Sequence, residues 1–269
     1  MPIDVDVLVL PAFDDLTGLP GEAAPWRTAY DLDATVHIEG VPTPLRYTDD
    51  GLAVVPTGIG KASAATTTTA LLTSETLRLE EALVLSVGVA GGPPTLPIGS
   101  VLLADAIVDW DDKYRVDPDE NDPPLALNPY TKGKGAFELN AELVERARAL
   151  AEEVNLEGTD PEVVGGTNLC GDEFWHGAEL AEQAAWLVSQ YGLAPYRATE
   201  MEDAGTATAL TRFGRLDRYL TVRGISNHDR PKSGSAREHL LGSTFESGFE
   251  LGIENAVRVA RTIVDDRLG

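Results

Sequence analysis

The longest uncharged stretch of the chain runs from Ala82 to Ala104. It is long enough to span a bilayer, but Gly91-Gly92-Pro93-Pro94 and then Pro97 interrupt it. A backbone broken in this way would leave amide groups unpaired in lipid. Two buried strands joined by a turn account for the same residues. Ala82 to Val87 is apolar without alternation, as a central strand covered on both faces must be. Val5 to Leu10, Thr35 to Ile38, Ala53 to Pro56, Ser100 to Val108, Val163 to Asn168 and Tyr219 to Ile225 read as further strands. Lys61 to Arg78, Asn140 to Val154, Glu202 to Arg212 and Phe245 to Leu268 read as helices. Asp109 to Gly135 is rich in Asp, Pro, Asn and Gly and has no period, so it reads as a long loop, either a lid or a subunit contact. There is no internal repeat and no linker. Alternating strands and helices predict a single α/β domain over residues 1–269, with a mixed, largely parallel central sheet flanked by helices.

Charge narrows the setting. Asp and Glu number 44 against 21 basic residues, only five of them Lys, for a net charge of -23. Such a surface repels itself at low salt and stays soluble once salt screens it. The expectation is a cytoplasmic protein of a high-salt organism, with an ordinary acidic protein as the alternative. Nucleic acid is not an expected partner, since no basic face exists to meet phosphates. Membrane insertion is not expected either. The lone Cys170 permits no internal disulfide and suits a reducing compartment. The start, Met-Pro-Ile-Asp-Val-Asp, has no basic residue followed by an apolar run, so no secretory signal is expected.

Several familiar motifs fail. Gly58-Ile59-Gly60-Lys61 follows a strand and opens a helix, but Ser63 stands where a dinucleotide loop has its third glycine. Val55 and Ala62 break the Walker pattern around it. No G-x-S-x-G elbow occurs. His37, His176, His228 and His239 have no metal spacing with cysteines or carboxylates, so no metal and no cofactor is expected.

Met201-Glu202, at a helix start, is more suggestive. A thioether packs against a ribose face, and an ionised carboxylate accepts hydrogen bonds from a vicinal diol. Acidic residues also favour first helical turns for dipole reasons alone. The neighbours along the chain carry more weight. In order, they are Thr57-Gly58-Ile59-Gly60-Lys61-Ala62-Ser63, Val87-Gly88-Val89-Ala90-Gly91-Gly92, Cys170-Gly171-Asp172-Glu173-Phe174-Trp175, Glu200-Met201-Glu202-Asp203 and Val222-Arg223-Gly224-Ile225-Ser226-Asn227. Together they resemble the nucleoside phosphorylase and methylthioadenosine nucleosidase superfamily. The finer wording, Phe174-Trp175-His176-Gly177 and Ser226-Asn227-His228-Asp229-Arg230-Pro231, is most similar to the purine nucleoside permease family, and the resemblance covers Val5 to about Leu268.

That resemblance implies a phosphorylase-like three-layer fold, a nucleoside substrate, and a homo-oligomer (dimer, trimer or hexamer) with sites often completed by a neighbouring subunit. It implies roles as well. Glu202 would hold the ribose hydroxyls and Met201 would pack beneath the sugar. Phe174 would stack on the base and the Trp175 backbone would meet its edge, although both aromatics also suit ordinary core packing. Asn227 stands where many relatives have a base-protonating aspartate. It cannot donate a proton outright, but its amide bonds N7 and a 6-oxo group together; a turn asparagine is the alternative. In phosphate-binding relatives an arginine and a serine frame the glycine turn, where this chain has Ser86 and Val89. Valine offers phosphate no side-chain bond, leaving the amides of Ala90 and Gly91. Glu22 matches the water-activating glutamate of the hydrolytic relatives, or it is a helix-start carboxylate. Arg27 and Arg46 are the remaining candidates to hold phosphate. The expectation is therefore cleavage of a purine nucleoside with Glu22, Glu202 and Asn227 as catalytic residues, by hydrolysis ahead of phosphorolysis, for which inorganic phosphate would be the co-substrate. The alternative is a nucleoside-binding or transport-associated protein without turnover.

Overall fold

The computed structural model describes residues 2–15, 21–117, 121, 123–131, 133–231 and 244–269. The uncharged stretch supplies its central strand, β7 (Leu83–Gly92), with all but Val89 buried. Each apolar side chain buried there contributes about 1.5–3 kcal/mol, which is why the strand shows no alternation. Along one edge β7 pairs in parallel with β16 (Tyr219–His228) from Val84 to Gly92. The opposite edge is shared. β2 (Val7–Leu10) pairs in parallel with residues Leu83 to Ser86, and β15 (Tyr196–Glu200) meets it again only at Thr199 opposite Gly91. Val87 to Ala90 are left without a strand partner on that edge.

From β2 the sheet continues in parallel to β5 (Leu52–Val54) and ends in antiparallel β4 (Leu45–Tyr47) and β3 (Ala34–Val36). From β15 it continues in parallel through β14 (Thr167–Cys170) and β9 (Ala106–Asp109) to antiparallel β12 (Ala136–Glu138). The far edge of β16 carries β8 (Val101–Leu103), itself paired with β13 (Val163–Val164). One sheet of twelve strands thus joins both halves of the chain. Two small pairs lie outside it: β1 (Ile3–Asp4) with β6 (Leu77–Arg78), and β10 (Lys113–Arg115) with β11 (Leu125–Leu127).

Helices flank the sheet. α6 (Thr244–Leu268) packs on β16 and β7, and on α1 (Ala24–Ala29) and α3 (Ala141–Ala151). α2 (Lys61–Thr73) packs on α5 (Asp203–Arg212). That contact depends on Gly205, where a Cβ would lie 2.2 Å from the Lys61 carbonyl oxygen. The close approach brings the glycine turn before α2 against the residues before α5. Among the described residues no helix is long and apolar enough to cross a membrane.

Several elements differ from the sequence reading. Residues 109–135 are not one loop, because Lys113–Arg115 and Leu125–Leu127 pair as an antiparallel ladder among the described residues. The helix begun at Lys61 stops at Thr73, and Leu77–Arg78 turn to pair with Ile3–Asp4. Ser100 to Val108 and Val163 to Asn168 are each two strands, and the second member of each pair leaves for the β14 side of the sheet. α4 (Ala178–Gln190), which packs on β11, β14 and β15, was not anticipated. His239 lies outside the described residues.

Candidate active site

The unpartnered edge of β7 opens into a cleft of about 260 Å3. Glu22, Val89, Ala90, Gly91, Phe174, Trp175, Met201, Glu202 and Asn227, named from the sequence on four separate segments and the first loop, all line it. Their order follows β7.

Glu22 is at the Val89 end. Its Oε1 accepts from the Val89 amide at 2.8 Å and its Oε2 from the Ala12 amide at 2.6 Å. These amides lie beyond the end of β2 and on the open edge of β7, so no strand claims them. The carboxylate is therefore not spent on the start of α1. Burial pushes the Glu22 carboxyl up, with Arg223 and the two amides pulling against it.

Glu202 stands just before α5 and makes no capping bond to its helix. Its Oε1 accepts from the Gly60 amide at 3.0 Å, and its own amide donates to Glu200 Oε2 at 2.7 Å. Its position follows from the α2–α5 contact and not from the helix dipole. Burial raises the Glu202 carboxyl and the nearby Glu22 adds to this, while Arg223 opposes it.

Arg223, on β16, is 1% exposed and organises these acids. Its Nη2 binds Asp203, Glu200 Oε2 at 2.9 Å and Ser86 Oγ at 2.7 Å. Its Nη1 lies 3.6 Å from Glu202 Oε2 and makes no hydrogen bond among the described residues. Burial works to raise the Asp203 carboxyl, but the guanidinium overrides it and holds it low. Glu200 is pushed up by burial and by Asp203. One guanidinium facing Glu22, Glu200, Glu202 and Asp203 cannot neutralise them all, so part of the cluster retains protons above the ordinary carboxylate range.

Asn227 enters the cleft because the β7–β16 register slips at Ser226. A bulge of this kind re-aims the next side chain. Asn227 then lies opposite Gly91, and the Ser226 hydroxyl donates to its Oδ1 at 2.9 Å. Phe174 is 61% exposed at the mouth. Trp175 is buried, its ring 6.1 Å from Trp110 and 6.4 Å from Tyr196, so it packs a satellite core at the wall of the cleft. Neither remaining phosphate candidate lines the cleft. Arg27 pairs with Asp14 and Asp15, and Arg46 donates to the Leu32 carbonyl. Lys61 is taken by Asp109 at 2.6 Å and Asp111 at 2.7 Å.

The family model for purine nucleoside permease (NUP) matches residues 4–160 and 158–268. The chain belongs to the purine nucleoside permease family. It is 28% identical over 294 residues to a purine nucleoside permease of Candida albicans, covering 91% of this chain and 72% of that one. A probable purine nucleoside permease of Schizosaccharomyces pombe is 25% identical over 265 residues, 81% of this chain and 76% of that one. Futalosine hydrolase of Helicobacter pylori has the same fold, with a TM-score of 0.69 at 24% identity over 97% of this chain and 98% of that one. So has the 5'-methylthioadenosine/S-adenosylhomocysteine nucleosidase of Colwellia psychrerythraea in complex with adenine, with a TM-score of 0.69 at 20% identity over 98% and 96%.

In this permease-family chain Arg223 belongs to the fifth segment, and its neighbours in sequence give it no role. Its signal was a charged residue inside an otherwise apolar strand, Tyr219 to Ile225. A cation there has to be paired. Ser226 and Asp229, which also line the cleft, were passed over in the same way.

Proposed function

We propose that this chain hydrolyses the N-glycosidic bond of a purine nucleoside in the cleft beside β7. The observation that carries the reading is the placement of two carboxylates and an amide along one groove: Glu22 and Glu202 flanking Arg223 at one end, and Asn227 past Gly91 toward the other. Bond cleavage puts positive charge on the sugar and negative charge on the departing base. Glu202 accepts the ribose diol and Met201 packs under the ring. Glu22 takes a proton from the attacking water. The electron pair of the broken bond leaves with the base. Asn227 bonds the base at N7 and at a 6-oxo group, Phe174 stacks on its face, and the proton that neutralises it comes from solvent.

Electrostatics favour water over phosphate. Glu22 already occupies the Val89 and Ala12 amides, and Arg223 is already matched by Asp203 and Glu200. A phosphate dianion would enter among four carboxylates with no free cation beside them among the described residues. The likeness to purine nucleoside permeases of Candida and Schizosaccharomyces favours a second reading, nucleoside capture for transport without turnover.

The test is incubation with inosine, guanosine, adenosine and uridine in molar KCl, with and without phosphate. Purine release without phosphate is the expected outcome. No release under any condition, with nucleoside binding by calorimetry, would establish the second reading instead.

A further inference from the structure

Lys61 is one of five lysines in a chain of net charge -23, and it has no part in the proposed reaction. It opens α2 directly after Gly60, whose amide holds Glu202 Oε1 at 3.0 Å. Its own amide donates to Asp172 Oδ1 at 2.8 Å. Its ammonium donates to Asp109 Oδ1 at 2.6 Å and meets Asp111 Oδ2 at 2.7 Å. The acids are tied to one another as well. Asp109 Oδ1 accepts from the Asp111 amide at 2.9 Å, and Asp111 Oδ2 accepts from the Asp172 amide at 2.9 Å. Asp109 ends β9, and Asp172 lies two residues past β14, whose Cys170 pairs with Asp109. One cation thus fastens the turn that holds Glu202 to the ends of two sheet strands.

Glu202 depends on that turn. It makes no capping bond to α5, and the Gly60 amide gives the one hydrogen bond to its carboxylate among the described residues. The Lys61 side chain is 16% exposed. Burial works against its ammonium, but Asp109 and Asp111 override this and raise its pKa, so it stays charged. A partly buried pair of this kind is screened by salt much less than an open one.

We propose that Lys61 is a positioning residue for the reaction, its bonds to Asp109 and Asp111 fixing the Gly60 amide and, through it, the Glu202 carboxylate that receives the ribose diol. Lys61 does not line the cleft and acts through Glu202 alone. This assignment rests on the nucleoside-cleavage reading.

The experiment is a double-mutant cycle on kcat/KM for inosine. Lys61→Met keeps the stem and removes the charge. It should lower kcat/KM about tenfold or more, the scale on which a small misplacement of a catalytic contact acts. In a Glu202→Ala background the same substitution should cost less than about twofold, because the group it positions is gone. Equal losses in both backgrounds would mean that Lys61 only supports the fold, and they overturn the proposal. So does an unchanged rate in Lys61→Met. Asp172 is exposed, and Asp172→Ala removes the bond to the Lys61 amide. It should show the same coupling, and it carries the test if Lys61→Met does not fold. If the wild type cleaves no nucleoside, the cleavage reading fails separately and calorimetry takes the place of kinetics. Lys61→Met should then weaken binding of inosine and leave that of hypoxanthine, which has no diol, unchanged. Equal weakening of both ends the proposal.

Discussion

The carboxylate of Glu22 is bound to the backbone amide of Val89 at 2.8 Å, across the stretch of β7 that neither β2 nor β15 covers. A free strand amide attracts anions, and here the protein's own side chain has taken it. The position that would otherwise help to bind phosphate holds a carboxylate.

Two outcomes follow for the nucleophile. Base release from inosine should be as fast in phosphate-free buffer as in phosphate, with free ribose as the sugar product. Glu22→Gln keeps the shape of the side chain but cannot take a proton. It should lower kcat by about 100-fold or more, as loss of general-base catalysis does, with little change in KM. Ribose 1-phosphate as the product would refute the hydrolytic assignment.

The pH profile should carry the mark of the crowded acids. Burial, with Glu22 adding and Arg223 opposing, pushes Glu202 up to about 7, and Glu22 itself is raised by burial. In the proposed reaction both groups act ionised, so kcat/KM should be full above the raised pKa and fall as pH drops through it. The acid limb should lie near pH 7, well above the usual glutamate value of about 4.3. Activity that stays level down to pH 5 would show that these carboxylates do not govern the reaction.

Half of the cleft's lining was legible in the sequence because its pieces are local signatures. Gly58 to Lys61 and Val87 to Gly92 mark turns and close approaches, and Met201-Glu202 marks a helix start. Each keeps its meaning without knowledge of what packs against it. Arg223 was not legible in that way. Its partners Ser86, Glu200 and Asp203 come from two other strands and a helix, and only the β16–β7 register and the β15 crossing bring them together. The β10–β11 pair was hidden for another reason. Lys113 to Arg115 and Leu125 to Leu127 are too short, and too dilute among Asp and Pro, for a period to appear. Trp175 joins two meanings that the sequence left open, since it packs in a core and also lines the cleft.

Gly88 separates Glu22 from Arg223. A Cβ there would stand 2.5 Å from Glu22 Oε1 and 2.6 Å from Arg223 Nη1, and both groups are buried and held. Gly88→Ala should therefore cost about 1–3 kcal/mol of stability, the usual penalty of overpacking. It should also push the base away from its water. Denaturant melts and steady-state kinetics on one preparation check this. A folded variant with wild-type kcat would mean that Glu22 can shift without consequence.

Asn227 gives the sharpest substrate test. Its Oδ1 is engaged by Ser226, and its Nδ2 lies at the Gly91 wall, so the amide is oriented by its neighbours. With Oδ1 engaged by Ser226, the Nδ2 group is left to donate to N7 and a 6-oxo oxygen, whereas on adenine only N7 can accept from it, because position 6 carries a donor. Asn227→Ala should accordingly reduce kcat/KM for inosine and guanosine by about 100-fold, and for adenosine by at least about tenfold less. The comparison is made with the three nucleosides under identical salt and pH. Equal losses on all three would mean that the amide supports the strand end and does not read the base.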